Sequence, residues 1–425
     1  MCVVVSPSKF SGLVNVPPSK SFMHRAIFAA AMCSGNSILK NVVISDDVLA
    51  TLGVIEKLGA NYELVGRNLR ITGGLNNLLK PSKRVIEVDC FESGSTLRFL
   101  IPIAVAFGRN LVIKGRGQLL NRPIDCYVDS FKKQNVVIEK IGCEKLYISG
   151  QLKSDTYFID GKVSSQFITG LLMALPNLFG RSVLKLKSDL CSKPYVDITL
   201  DVLKSFGIDV FEGEGEYIIN GIQRYQEREY EIEGDYSQAA FFEVLGCVSP
   251  ICIGGLNPKS IQGDIQMFKL IERCGGNVTW ENSVLKVAPG NFRNFCINVA
   301  DIPDLTPPIA ILACMCEGKS VIEGISRLKF KESNRIISIV NMLKNIGGKI
   351  LVEGDKMLIC GVNAFDGGIV DTYNDHRIAM ASSIAAAYSK KPVTILNANC
   401  VNKSYPSFYK DYQSLGGIVN VIDLE

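Results

Sequence analysis

Cations stand where helices are expected to begin. Lys20, Arg25, Arg122, Lys331, Arg335, Arg377 and Lys403 all fall at predicted helix starts, and Arg98 lies within the next turn of another. The helix dipole favours acids at that end and cations at the other. Cations there make sense when an anion sits between them and the free backbone N–H groups. Several together suit more than one multiply charged anion, with arginine supplying bidentate forks. Two acids, Asp304 and Glu332, are placed among these cations and are candidates for proton transfer. Asp is also an ordinary helix cap, and that reading of Asp304 stays open. The densest stretch is Lys329-Phe330-Lys331-Glu332-Ser333-Asn334-Arg335, which runs into an apolar, helix-like Ile336 to Leu343. A charge run can equally be a solvated face, so the rest of the chain has to decide.

These residues belong to polar knots that recur in two sets. One set opens apolar, Ala/Leu/Ile-rich helices: Ser19-Lys20-Ser21, Glu92-Ser93-Gly94-Ser95, Ser164-Ser165-Gln166, Asp235-Tyr236-Ser237, Ile302-Pro303-Asp304 and Asn374-Asp375-His376-Arg377. The other opens amphipathic helices: Ser45-Asp46-Asp47, Asn121-Arg122-Pro123, Ser192-Lys193-Pro194-Tyr195, Gln262-Gly263-Asp264, the Lys331 stretch and Lys403-Ser404-Tyr405. Each amphipathic helix ends on Gly59, Asn135, Gly207, Gly275, Gly347 or Gly416, the residue types that tolerate a left-handed C-cap. Alternating strands fill the gaps. The chain therefore reads as an α/β fold of six βαβαββ units, each roughly 70 residues long. An apolar helix is expected to be buried all round and an amphipathic one half exposed. The last copy stops soon after its Gly, in the stretch from Gly417 to Glu425, and the opening strand Val3 to Val5 is the candidate partner for its strand. Two pseudo-symmetric domains of three units follow: residues 20–233 as an inserted domain, and 1–19 plus 234–425 as the other. The chain would cross near Lys20 and near Gly234, with the helix starts directed at one cleft between the domains.

Composition agrees with a soluble globular chain. Of 425 residues, 47% are hydrophobic and 21% charged. A net charge of +4 is too small and dispersed to suggest nucleic-acid binding by itself. The longest apolar runs, Phe99 to Phe107 and Pro307 to Cys316, are too short to span a bilayer. Met1-Cys2-Val3-Val4-Val5 goes straight into a strand-like run, with no signal or transit peptide expected ahead of it. A cytoplasmic protein is expected. Fourteen cysteines without a Cys-x-x-Cys pair read as reduced thiols. Two histidines, His24 and His376, offer little for a transition-metal site, so neither metal nor cofactor is expected. His24 reads as a structural residue, and His376, between Asp375 and Arg377, as one that orients a substrate or a neighbouring side chain.

Taken together and in order, these knots resemble the 5-enolpyruvylshikimate-3-phosphate synthase family of enolpyruvyl transferases. The resemblance runs nearly the whole length, from Ser19-Lys20-Ser21 with Arg25 to Lys403, and lies in the joint order and spacing of the motifs. It implies two domains of three βαβαββ units closing around the substrates. The implied reaction moves the enolpyruvyl group of phosphoenolpyruvate to the 5-hydroxyl of shikimate 3-phosphate and releases phosphate. It proceeds by addition then elimination, through a tetrahedral intermediate, on the route to chorismate and the aromatic amino acids. Shikimate 3-phosphate would be held by Lys20, Ser21, Arg25, Ser164, Ser165, Gln166, Ser192, Tyr195, Asp304 and Lys331. Phosphoenolpyruvate would be held by Lys20, Gly94, Arg122, Gln166, Arg335, Arg377 and Lys403. Asp304 would be the base for the 5-hydroxyl, and Glu332 or Lys20 would protonate the methylene carbon. Lys331 and Arg335 are expected to depress Glu332, which weighs against it as the acid. The partners implied are small anionic substrates, with no nucleic acid or membrane, and a monomer is expected.

The motifs depart from the family at Pro18, where Gly is usual, and at Glu92-Ser93-Gly94-Ser95, for the commoner Asn-Ala-Gly-Thr. Phe99 replaces a frequent Pro, and Asn334 replaces Asp. These changes border the implied phosphoenolpyruvate pocket, so the response to glyphosate is left open. Two rival readings have discriminating features. The related transferases acting on UDP-N-acetylglucosamine often carry a reactive Cys five residues before the Arg of the Arg-Pro pair; here that residue is Gly117. A non-catalytic phosphometabolite or RNA binder on the same repeats would not need Asp304 and Glu332 among the cations, and RNA binding would want an exposed basic stripe with stacking aromatics.

Overall fold

A computed structural model describes residues 1–75 and 82–422. The chain divides into two compact units, one of residues 20–232 and one of residues 1–19 with 233–425. Glu233, expected at the end of the inserted unit, belongs to the other. Its carbonyl accepts from the Ser19 N–H at 2.7 Å. Its carboxylate accepts from Asn257 Nδ2 at 2.8 Å, from Gln262 Nε2 at 2.6 Å and from the Ser260 hydroxyl.

Twelve α-helices are present among the described residues. In the 20–232 unit they are α1 (Lys20–Ala31), α2 (Asp46–Lys57), α3 (Gly94–Ala106), α4 (Asp125–Phe131), α5 (Ser165–Ala174) and α6 (Lys193–Ser205). In the other unit they are α7 (Tyr236–Gly246), α8 (Gln266–Arg273), α9 (Thr306–Met315), α10 (Arg335–Asn345), α11 (His376–Ala387) and α12 (Phe408–Ser414). The odd-numbered helices are the apolar ones and are buried nearly all round; every residue of α7 is buried. In the second unit α7, α9 and α11 pack on one another. The even-numbered helices bury one stripe. In α10 it is Arg335, Ser338, Ile339, Met342 and Leu343, spaced at i, i+3, i+4, i+7 and i+8. Truncating a core residue such as Leu343 to Ala should cost about 2–5 kcal/mol.

Among the described residues each unit holds three four-stranded sheets of one topology. In the sheet beside α9 and α10, Cys296–Asn298 pairs parallel with Lys319–Glu323. That strand pairs antiparallel with Lys356–Cys360, which pairs antiparallel with Lys349–Glu353. This is the expected βαβαββ unit. The sheets at the crossings borrow strands. Leu13–Asn15 leads the sheet of Ile251–Gly254, and Glu229–Glu231 leads that of Asn36–Lys40. In the last sheet Cys2–Ser6 lies between Val393–Leu396 and Ile418–Ile422, with Val3 opposite Ile395 and Val421. The terminal stretch read from sequence ran on to Glu425; residues 423–425 lie outside the described residues. The six helix-ending positions all have positive φ, from Asn135 at 52° to Gly275 at 108°. Gly is favoured there because a Cβ would meet the following carbonyl.

Several knots begin their helices less directly than expected. Lys20 and Arg335 are first helical residues, and Arg377 is second. Arg25 lies in the second turn of α1. Arg122 and Lys331 follow 3-10 turns, and Lys403 ends one, all ahead of the α-helix proper. These three are therefore held by loop geometry and not by the first helical turn. The 3-10 turn is common as such a connector.

Candidate active site

In the 20–232 unit the starts of α3 and α5 bring four predicted or noted residues together. The Arg98 guanidinium donates to Gln166 Oε1 at 2.6 Å, and the Gln166 amide donates to Ser95 Oγ at 3.0 Å. A Cβ placed on Gly94 would lie 2.9 Å from Arg122 Nη1, 3.0 Å from Arg98 Nη1 and 3.5 Å from Gln166 Oε1. Gly94 is therefore the floor on which two guanidiniums and an amide converge, and a side chain there would displace the two guanidinium tips. Ser93 caps α3 and Ser164 caps α5, through Thr96 N at 3.2 Å and Gln166 N at 3.3 Å. Arg98 also stacks over the Phe167 ring, 5.2 Å from its centroid.

The start of α1 is tied to its neighbours differently. Lys20 Nζ pairs with Asp47 Oδ2 at 2.7 Å. Arg25, expected to hold substrate, is buried and bonded to protein. Its Nε donates to Thr199, Nη1 to the Ser21 carbonyl, and Nη2 to Thr169 and the Tyr195 carbonyl. Burial pushes the guanidinium down, against Tyr195 and Tyr230, to about 9, so it stays charged at neutral pH. Ser21 and Tyr195 thus meet Arg25 through their backbones. Ser165 is the first residue of α5, buried; Ser192 precedes α6 with φ 60°, its side chain making no capping bond.

His24 sits at one end of a buried hydrogen-bond chain. Its Nδ1 is 2.7 Å from Thr51 Oγ1, which is 2.7 Å from Thr96 Oγ1, and that hydroxyl donates to Ser93 Oγ at 2.7 Å. Because the Thr96 hydrogen goes to Ser93, the Thr51 hydrogen is shared between Thr96 Oγ1 and the Asp47 carbonyl, 3.3 Å away, and His24 Nδ1–H donates to Thr51. Burial first, then Lys20 and Arg25, hold the imidazole well below its ordinary value, so it is neutral. The structural role read for His24 has this form: it joins α1, α2 and the cap of α3.

In the other unit the acids and cations form one network. Asp304 Oδ1 accepts from Arg335 Nη1 at 2.7 Å and Lys331 Nζ at 3.2 Å; Oδ2 accepts from Arg377 Nη2 at 3.0 Å. Asp304 lies in the 3-10 turn Pro303–Leu305 ahead of α9, and α9 has no side-chain cap. The cap reading of Asp304 is therefore replaced: its oxygens face cations. Burial alone would raise its carboxyl, but Arg377, Lys331 and Arg335 outweigh burial and hold it well below the usual range. Arg335 also donates to Glu332 and, from Nε at 2.8 Å, to Asp375 Oδ2. Asp375 caps α11 through Arg377 N at 3.0 Å and accepts from the Ser333 hydroxyl at 3.1 Å. Lys403 Nζ donates to the Asn374 carbonyl at 2.6 Å. Tyr373 and Asn374, just before α11, both have positive φ, 51° and 57°. Burial lowers the Lys331 ammonium, with Arg335 and Arg327 adding to it and Asp304 and Glu332 opposing. His376 is the buried first residue of α11. Lys329 is exposed, its ammonium 4.9 Å over the Phe330 ring, as a solvated face would have it.

Two partners escaped the sequence reading. Asp375 was seen only as a neighbour of His376 and Arg377, and Asp47 only as part of a capping knot. In each case the signal was present: an acid in a polar knot that opens a helix.

Each unit thus carries its own cluster of cations at or just ahead of helix starts, and in the unit with Asp304 three carboxylates, Asp304, Glu332 and Asp375, lie among them. The whole chain has the fold of an enolpyruvyl transferase. It superposes on the enolpyruvyl transferase NikO of Streptomyces tendae with a TM-score of 0.79 at 16% identity, covering 99% of this chain and 98% of that one. It superposes on the EPSP synthase of Acinetobacter baumannii with a TM-score of 0.81 at 24% identity, covering 99% and 100%. Residues 4–412 match the family described as EPSP synthase (3-phosphoshikimate 1-carboxyvinyltransferase). Similar chains include the 3-phosphoshikimate 1-carboxyvinyltransferases of Clostridium kluyveri, 40% identical, and Clostridioides difficile, 38% identical, each comparison covering 98% of both chains. The chain belongs to the EPSP synthase family. No helix of the described residues is long and apolar enough to cross a membrane.

Proposed function

We propose that this chain transfers the enolpyruvyl group of phosphoenolpyruvate to the 5-hydroxyl of shikimate 3-phosphate. The observation that carries the reading is Asp304, a carboxylate bonded to Lys331, Arg335 and Arg377 together. Cations in this number suit two phosphates and a carboxylate. Bound anions would draw Arg377 and Lys331 off Asp304, and its proton affinity would rise when substrate arrives. Asp304 then takes the 5-hydroxyl proton as that oxygen bonds to C2 of phosphoenolpyruvate. The methylene carbon takes a proton from Glu332 or Lys20, giving the tetrahedral intermediate. Loss of a methyl proton and of phosphate from C2 restores the double bond. In this reading Lys20, Ser21, Arg25, Ser164, Ser165, Gln166, Ser192, Tyr195 and Lys331 serve shikimate 3-phosphate, Arg25 by fixing Ser21 and Tyr195. Gly94, Arg122, Arg335, Arg377 and Lys403 serve phosphoenolpyruvate, with Lys20 and Gln166 shared. The protein acts in the cytoplasm as a monomer, on the route to chorismate.

The test is phosphate release from phosphoenolpyruvate. Release that depends on shikimate 3-phosphate is expected. Release driven by UDP-N-acetylglucosamine, or none with shikimate 3-phosphate, overturns the reading.

A further inference from the structure

Tyr127, on α4, is fully buried and touches no residue of the predicted substrate sets through a side-chain hydrogen bond. Its hydroxyl lies 2.7 Å from the Arg98 carbonyl and 3.0 Å from the Phe167 carbonyl. The Arg98 carbonyl has a particular need. In α3 its helical donor would be the N–H of residue 102, and residue 102 is proline. A buried carbonyl without a donor is costly. The tyrosine has one hydrogen, and the shorter contact is to the carbonyl whose i+4 amide is missing at Pro102. Burial raises the phenol well above its ordinary value, so the hydrogen stays in place.

The surroundings are built for this contact. A Cβ on Gly170 of α5 would lie 2.3 Å from the Tyr127 hydroxyl, 2.5 Å from the Arg98 carbonyl and 2.8 Å from Pro102 Cγ. Gly170 thus leaves the space in which the three meet. The Tyr127 ring sits edge-to-face on Phe167, centroids 4.9 Å apart, and Arg98 stacks on that same Phe167. The two backbone positions that Tyr127 joins are Arg98 and Phe167, and the Arg98 side chain bonds that of Gln166, the neighbour of Phe167, at 2.6 Å beside Gly94.

We propose that Tyr127 is a positioning residue: its hydroxyl replaces the amide that Pro102 lacks and so sets Arg98 and Gln166 against Gly94 for phosphoenolpyruvate. This rests on the reading of Gly94 and Gln166 given under the proposed function. It acts on the ground-state site, so it belongs in KM for phosphoenolpyruvate and not in kcat.

The experiment compares the parent chain with Tyr127→Phe, Pro102→Ala and the double variant, in steady-state kinetics and thermal unfolding. Tyr127→Phe should raise KM for phosphoenolpyruvate about tenfold, as an unsatisfied buried acceptor would, leave kcat within about twofold, and lower Tm by a few degrees. Pro102→Ala should resemble the parent. Pro102→Ala added to Tyr127→Phe returns an N–H to the Arg98 carbonyl and should restore both KM and Tm. A Tyr127→Phe protein that matches the parent, or a double variant no better than Tyr127→Phe, overturns the proposal. So does failure of both Tyr127→Phe proteins to fold, because the hydroxyl is assigned to substrate affinity and not to folding. A parent without enolpyruvyl transfer would remove the functional reading instead, while the unfolding comparison would still decide whether the hydroxyl and Pro102 serve the same carbonyl.

Discussion

Arg335 Nε lies 2.8 Å from Asp375 Oδ2, and both side chains are out of solvent, at 1% and 0% exposure. The pair joins the first residue of α10 to the cap of α11. Glu332 and Asp304 bond the same guanidinium, so its charge is matched by three carboxylates. Against burial, those carboxylates hold the guanidinium well above even its ordinary value. Asp375→Asn should therefore destabilise the fold by about 2–4 kcal/mol, since it leaves a buried cation short of a partner. Urea unfolding measures this. Replacing Arg335 and Asp375 together by apolar residues should cost less than the sum of the single changes; strict additivity would count against the coupling.

Asp304→Asn keeps the shape of the side chain and removes the base. Turnover should fall by about 10²–10⁴-fold while shikimate 3-phosphate still binds. Near-normal kcat would take the base role away from Asp304.

Asp264 predicts a pH effect on stability. Its Oδ2 accepts from the buried Ser237 hydroxyl, and α7 packs against the turns that carry Asp264 and Asp304. Burial, then Asp304 and Asp235, push its carboxyl up to about 7, against Ser237 and Arg377; Glu243 of α7 also couples to it. The folded chain keeps this proton up to about pH 7, whereas an unfolded Asp releases it near ~3.9. The contribution is fully present at low pH and is lost as pH rises through that window. Asp264→Asn should lose this decline and, at about pH 8, exceed the parent by on the order of 4 kcal/mol. Melting curves across the range test it; an Asn variant that is weaker at every pH would refute the assignment.

The order of donors in the His24 chain can be read by ¹⁵N NMR. With two histidines in the sequence, a His24→Asn sample assigns the signals. His24 should remain neutral, with the proton on Nδ1, from about pH 5 to about pH 8. An Nε2–H tautomer, or titration near pH 6.5, would reverse the chain as drawn.

Much of this architecture was legible because it is periodic. The Gly or Asn after each amphipathic helix marked six left-handed caps, and alternating apolar residues marked the strands between them. The stop after Gly416 pointed to the opening strand. The cations at helix starts located both clusters. What was not legible is the pairing of side chains far apart in sequence. Arg377 meets Asp304 across 73 positions and Arg335 meets Asp375 across 40, and no local pattern records such contacts. Arg25 shows the same limit. Its knot marked it for a ligand, but Thr169 and Thr199, on helices read only as apolar and amphipathic, take up its donors. The 3-10 turns at Arg122, Lys331 and Lys403 were missed because the knots that open a helix and those that merely precede one have the same composition.

The placement of Cys2–Ser6 between Val393–Leu396 and Ile418–Ile422 bears on how the chain is made. That sheet cannot close until residue 422 has left the ribosome, whereas every strand and helix of the 20–232 unit is already available by residue 232. Domains generally fold as units during synthesis. The inserted unit can therefore condense while the opening β-strand still waits, an unpaired edge, for Val393–Leu396 and Ile418–Ile422.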